Sequence, residues 1–137
     1  MFEMRLQTYW GDADAAGRVF FPNYFRFVEC AEEELFRTAG IERLKLFEES
    51  QVWMPRVETF AKFSQPIRVS EAVLVQMRTH FKGEKTVRME FEILSEKDRS
   101  LVAQGYVTAV CIDRANGKSC SLPPAIREGY ARAAGKS

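Results

Sequence analysis

One long segment of this chain carries helical periodicity, and everything else must be arranged around it. From Asn23, a residue type that caps helices, Tyr24, Phe27, Val28, Ala31, Leu35 and Ala39 recur three and four residues apart until Gly40 breaks the pattern. The spacing predicts about four and a half helical turns. Glu29, Glu32, Glu33 and Arg37 form the expected polar face, while Phe25 and Phe36 widen the apolar stripe beyond what a lightly packed surface helix needs. Such a helix is expected to be almost surrounded by protein.

Strand patterns supply the cover. Phe2, Met4, Leu6, Thr8 and Trp10 alternate with Glu3, Arg5 and Gln7, which reads as a half-buried strand. After the helix, residues 42–50 form a short second helix or a loop. Val57, Thr59, Ala61 and Phe63 then alternate up to Pro66, and Val73, Val75, Met77 and Thr79 lead to Phe81. Across the turn Lys82-Gly83-Glu84 the chain returns with Val87, Met89, Phe91 and Ile93, a strong hairpin signal. Leu101 to Ile112 is apolar on both faces, so it is expected at the centre of a sheet or in a subunit interface. A short helix from Ala125 to Arg132 and a frayed tail close the chain. The expected class is α+β, with a five-stranded antiparallel sheet using its one apolar face to wrap one long helix.

Composition narrows the function. The 137 residues fit a single domain, 1–137, with no room for a separate cofactor module, and the net charge of +1 gives no field to collect nucleic acid. The most apolar stretch, Ser100 to Ile112, falls short of the roughly 18 to 20 residues that span a bilayer. Charges within Met1 to Arg5 argue against a secretion signal, so a cytoplasmic protein that binds neither membrane nor nucleic acid is expected. Cys30, Cys111 and Cys120 are odd in number and lack a CxxC pair, which suits reduced thiols. The sole histidine, His80, lies on a strand beside a turn, so chemistry built on a histidine base or a zinc site is poorly supported.

The segment before the helix carries the chemistry. Trp10-Gly11-Asp12-Ala13-Asp14-Ala15-Ala16-Gly17-Arg18-Val19-Phe20-Phe21-Pro22-Asn23-Tyr24 places two carboxylates in a loop of small residues, walled by aromatics, ahead of a helix N-terminus. Unpaired N–H groups there carry about half a positive charge and can stabilise an oxyanion. Pro22 has no N–H, so Phe21 and Asn23 are the candidate donors. A nearby aspartate can activate water or attack a carbonyl itself. Small residues such as Gly17 let a ligand come close to the backbone. The bland reading is that Asp12 and Asp14 make Asx turns, and a cation bound by the pair lacks a third carboxylate nearby.

The run GDADAAGRVFFPNYFRFVECAEEELF resembles the signature of the hotdog-fold acyl-CoA thioesterases, in the branch containing 4-hydroxybenzoyl-CoA thioesterase and related short-chain and aromatic acyl-CoA hydrolases. The strand order is similar over nearly the whole chain. The resemblance implies Asp14 as the catalytic carboxylate, Asp12 as a loop-orienting residue and Phe21 as the backbone donor to the thioester carbonyl. It also implies that Asn23 and Tyr24 open the helix at the site, and that a homo-oligomer, a dimer or a tetramer built from dimers, completes the pocket. Phe21 stands where some aromatic-substrate members have Tyr, Ala15 where some have Pro, and the histidine of another branch is missing after the aromatic segment.

A thioester needs no bound cofactor and no metal, because its carbonyl is electrophilic and thiolate leaves well. The substrate is then an acyl-CoA, or an acyl-carrier-protein thioester. Phe20, Phe21, Tyr24 and Trp53 are candidates for the acyl pocket, with core or dimer interface as the competing reading. Lys82, Lys85 and Lys118 are candidates for the coenzyme A phosphates, against a reading as ordinary solvated lysines. Two rival functions are a dehydratase or hydratase of the same fold and a non-catalytic acyl-CoA or acyl-carrier-protein binding module.

Overall fold

A computed structural model describes residues 1–134, so the end of the expected frayed tail, 135–137, lies outside the described residues. The chain runs through β1 (Phe2–Gln7), a 3-10 turn (Trp10–Asp12), α1 (Asn23–Arg37), α2 (Arg43–Glu49), β2 (Val52–Trp53) and β3 (Arg56–Phe63). It continues through β4 (Ala72–Lys82), β5 (Thr86–Ser95), β6 (Leu101–Val110), β7 (Ile112–Asp113) and α3 (Pro124–Ala131). Five strands form one sheet in the order β1-β4-β5-β6-β3, with every neighbouring pair antiparallel.

Alternation decides which face of that sheet is dry. Val73, Val75 and Met77 of β4, Val87, Met89 and Ile93 of β5, and Ala103 and Ala109 of β6 are buried in one core with Phe27, Ala31 and Leu35 of α1. The intervening strand residues Arg78, Glu90 and Glu92 belong to the outer face, where His80 pairs with Glu90 at 3.2 Å. The helix leaves only a narrow stripe in water, Arg26, Glu29, Glu33 and Arg37. A sheet wrapped round one helix is the hotdog arrangement that the sequence resemblance implied.

The close pairing of β3 with β6 depends on Gly105. A Cβ on Gly105 would stand 1.8 Å from the carbonyl oxygen of Phe60, so only glycine lets β3 and β6 approach this closely there. On the far side of the helix, Gly129 of α3 plays the same part, because a Cβ there would meet the Phe36 ring at 2.2 Å.

Several local expectations are corrected. β1 ends at Gln7, and Trp10 turns outward in the 3-10 turn, 88% exposed, instead of continuing the inner face. Pro22 occupies the N-cap position of helix α1 without a side-chain capping bond, and the helix ends at Arg37, before Ala39. Asn23 does not cap it; its side-chain amide donates to the Asp12 carbonyl at 3.1 Å. β6 is interior but not central, lying between β5 and the edge strand β3. The ribbon made by β2 and β7 has two residues per strand, too short to leave a pattern.

The largest correction is Glu32, which belongs to the interior. It is 1% exposed and accepts the Tyr130 hydroxyl at 2.6 Å, with Arg43 at 2.9 Å and Arg56 also paired to it. Arg56 and Arg43 also reach Glu29. Burial pushes the Glu32 carboxyl up, opposed by the two guanidinium charges, and burial beside Glu32 pushes the Tyr130 phenol well up. This cluster ties α1 to α2, β3 and α3.

Candidate active site

The loop between β1 and α1 is built from its own polar groups. Asp12 is buried; one carboxylate oxygen accepts the Tyr9 amide at 2.9 Å and the other is paired with Arg26 of α1. Its carbonyl takes the Phe20 amide at 2.8 Å. Both oxygens of Asp12 are therefore committed to holding the loop against the helix. Asp14 is exposed, and only its Oδ1 is committed, to the amides of Ala16 at 2.8 Å and Arg18 at 3.2 Å. Oδ2 makes no hydrogen bond among the described residues. Gly17, at φ +75°, closes the turn with its amide on the Asp14 carbonyl at 3.1 Å.

The helix start separates the two candidate donors. The amides of Asn23, Tyr24 and Phe25 bond back to the carbonyls of Phe20, Phe21 and Pro22 at 2.9, 3.2 and 3.1 Å. The Phe21 amide donates to no acceptor among the described residues. Asn23, expected as a donor and in the substrate pocket, is spent on the loop through both its backbone and its side chain.

Asp14, Phe21 and Tyr24 open together onto a cleft of about 590 Å³ whose other walls include Phe63, Arg18 and Gln65. The ring of Phe63 lies 6.1 Å from Phe21 and 5.5 Å from Tyr24, while Phe20 meets Phe21 edge-on at 5.5 Å from outside the cleft. Burial pushes the Tyr24 phenol up, the Ile67 backbone opposes this, and the Asp14 charge adds to it, so carboxylate and phenol share one electrostatic environment. A second cleft of about 560 Å³ adjoins, sharing Arg18 and Gln65 and lined also by Arg68, Lys97, Glu71 and Asp98.

Other expected site residues lie elsewhere. Trp53 lines a different cavity, of about 580 Å³, with Leu44 and Phe47 of α2, and Arg114 sits over its ring at 3.5 Å. That cavity is at the Arg56 end of β3, and Asp14 is near the Phe63 end. Lys82 closes the far end of β4, whose ten residue steps from Ala72 span about 33 Å. Lys85 bonds Ser119 at 3.2 Å near the same turn, with Lys118 next to Ser119 in sequence. Within one chain the three lysines are therefore at the opposite end from Asp14. Sequence reasoning missed Phe63, Arg18 and Arg68. Phe63 was visible as an alternating strand residue, but nothing local marked the strand face that would stay uncovered.

The family profile described as the thioesterase-like superfamily matches residues 8–129. A 1,4-dihydroxy-2-naphthoyl-CoA hydrolase of Prochlorococcus marinus strain MIT 9303 is 25% identical over 130 residues, covering 90% of this chain and 85% of that protein. The acyl-CoA thioester hydrolase YbgC of Escherichia coli O157:H7 is 26% identical over 127 residues, 92% of each chain. Among solved structures, a 1,4-dihydroxy-2-naphthoyl-CoA thioesterase from Synechocystis superposes with a TM-score of 0.88 at 21% identity, covering 95% of both chains. At that identity the likeness concerns the fold alone. No helix among the described residues is long and apolar enough to cross a membrane.

Proposed function

Because residues 8–129 match its profile, the chain belongs to the thioesterase-like superfamily, and we propose that it hydrolyses an acyl-CoA thioester with a short or aromatic acyl group, using Asp14. The observation that carries this reading is the pairing of an uncommitted Asp14 oxygen with an uncommitted Phe21 amide on one cleft. The thioester carbonyl takes the Phe21 N–H at the electropositive end of α1, which favours the oxyanion that forms on attack. Oδ2 of Asp14 either draws a proton from the attacking water or attacks the carbonyl carbon itself. Collapse of the tetrahedral intermediate expels coenzyme A as thiolate; where Asp14 is the nucleophile, water then cleaves the acyl–Asp14 anhydride to release the free acid and restore the carboxylate. The amides of Ala16 and Arg18 on Oδ1 hold the carboxylate in place. The aromatic walls Phe21, Tyr24 and Phe63 favour a ring or a short chain.

Arg18, Arg68 and Lys97 around the adjoining cleft are better placed for the coenzyme A phosphates than the distant lysines. A second copy completes the site in this reading. Nearly all of β3 is exposed, including Val57, Phe60 and Phe63, and an unpaired edge of this kind invites another strand. Antiparallel pairing of two β3 edges sets Arg56 of one copy opposite Phe63 of the other, which brings Trp53 of a second copy towards the Asp14 cleft.

Steady-state thiol release from benzoyl, hydroxybenzoyl, phenylacetyl and short aliphatic CoA thioesters tests the proposal. Catalytic turnover of at least one is expected. Saturable binding of these thioesters without free thiol would replace the enzyme by a binding module. Turnover restricted to acyl-carrier-protein thioesters would keep the chemistry and change the carrier.

A further inference from the structure

Cys111 and Cys120 lie far from the Asp14 cleft and have no part in the hydrolysis above. Cys111 lies between β6 and β7, and Ile112 of β7 bridges to Ser119, so Cys111 and Cys120 stand directly across from each other in the same antiparallel pairing. The Cys120 amide donates to the Cys111 carbonyl at 2.9 Å, and the two Sγ atoms are 3.6 Å apart. Directly opposed antiparallel residues have Cα atoms roughly 4.5–5.5 Å apart, within the range a disulfide spans. Cys111 is buried, whereas Cys120 is partly exposed.

We propose that Cys111 and Cys120 form a reversible redox clip, oxidised to a disulfide by a peroxide and reopened by a low-molecular-weight thiol. The Cys120 sulfur attacks one peroxide oxygen; the O–O bond breaks, water leaves, and Cys120 becomes a sulfenic acid. Cys111 Sγ then attacks that sulfur, the S–O bond breaks, and hydroxide departs with the Cys111 proton as a second water. Two thiols lose two electrons in all, and the peroxide gains them. The order follows from the environment: burial and the contact with Cys120 push the Cys111 thiol up to about 12, so it stays protonated while the accessible Cys120 reacts first.

The clip acts on the arm that carries Trp53. The 111–120 segment contains β7, whose Ile112 pairs with Trp53, and Arg114, which covers the Trp53 ring and donates to the Val52 carbonyl at 2.9 Å. Closing this short loop removes freedom from the unfolded chain and fixes the arm's base. Oxidation is therefore expected to stiffen the β2–β7 ribbon without touching Asp14.

The test is treatment of the whole protein with a small excess of hydrogen peroxide, followed by intact mass, peptide mapping and thermal melting. The expected product has lost two hydrogens, carries a 111–120 cross-link, and melts about 5–10 °C higher. Dithiothreitol returns both mass and melting point. Cys120→Ser, which is expected to keep basal thiol release, should show neither change, and Cys30→Ser should show both. Stable sulfinic acid at Cys120, or a cross-link between chains through Cys30, with no 111–120 peptide would overturn the proposal. So would a cross-link that leaves the melting point unmoved, because the arm would then not be held by it.

Discussion

Replacing Tyr130 with Phe removes one oxygen and keeps the ring that fills the core between α3 and Phe36. That oxygen donates at 2.6 Å to a carboxylate 1% exposed, and Oε2 of Glu32 has no other partner among the described residues. Arg43 and Arg56 engage the other oxygen, so neither is placed to compensate. A hydrogen bond to a charged group contributes about 1.5–3 kcal/mol, and an unsatisfied buried acceptor forfeits that whole amount. Unfolding entropy near 2.1 cal/mol/K per residue over 137 residues comes to about 290 cal/mol/K, which converts the loss to a fall of roughly 5–10 °C in Tm. Calorimetry on Tyr130→Phe at neutral pH measures it. A fall of less than about 2 °C would mean that the carboxylate finds water or a new partner, and that the cluster does not tie α3 to α1 as described.

Three further outcomes follow from the same structure. Gly105→Ala forces a methyl group into the Phe60 carbonyl, at 1.8 Å from its ideal place, and should destabilise the fold by about 2 kcal/mol or more in urea titration; a neutral substitution would show that β3 and β6 can separate freely. Burial pushes Glu29 up, but Arg43 and Arg56 outweigh it and hold its carboxyl below the usual 4.5. The stability it contributes is therefore present above about pH 4.5 and lost as the pH falls through the lower folded value, so Glu29→Gln should flatten the acid limb of the stability curve, and an unchanged limb would contradict the pairing. Arg68→Ala should raise KM for an acyl-CoA roughly 5-fold while leaving the matching acyl-pantetheine thioester unaffected, since only the former carries the nucleotide phosphates; equal effects on both would place the phosphates elsewhere.

The sequence made legible what short stretches of chain determine by themselves. The helix stripe from Tyr24 to Leu35 and the alternation from Val73 to Ile93 each have a period set by backbone geometry, and together they dictated a sheet round a helix. The loop from Asp12 to Phe21 was equally readable, because the Asp14 turn, the Gly17 conformation and the helix start are all made by near neighbours. Glu32 was misread because a single carboxylate at a helical position looks solvated; its partner Tyr130 is 98 positions away. Trp53 and the lysines stand away from the Asp14 cleft of their own chain for a related reason. Residue type suggested pocket and phosphate, but the length of a strand separates them from Asp14, and spacing in the chain carries no information about which ends of two strands coincide. Gly105 carried no positive φ and no turn, so its role emerged only once β3 lay against it.

The central claim is that the Asp14 carboxylate acts on a carbonyl held by the Phe21 amide. Asp14→Asn keeps the Oδ1 acceptor that organises the loop and removes the charge that attacks or accepts a proton. Measured on the acyl-CoA that the unmodified protein turns over best, kcat is expected to drop by about 10²–10⁴-fold with Tm and oligomeric state unchanged. Full turnover by a well-folded Asp14→Asn protein would contradict the account and move the chemistry away from this loop.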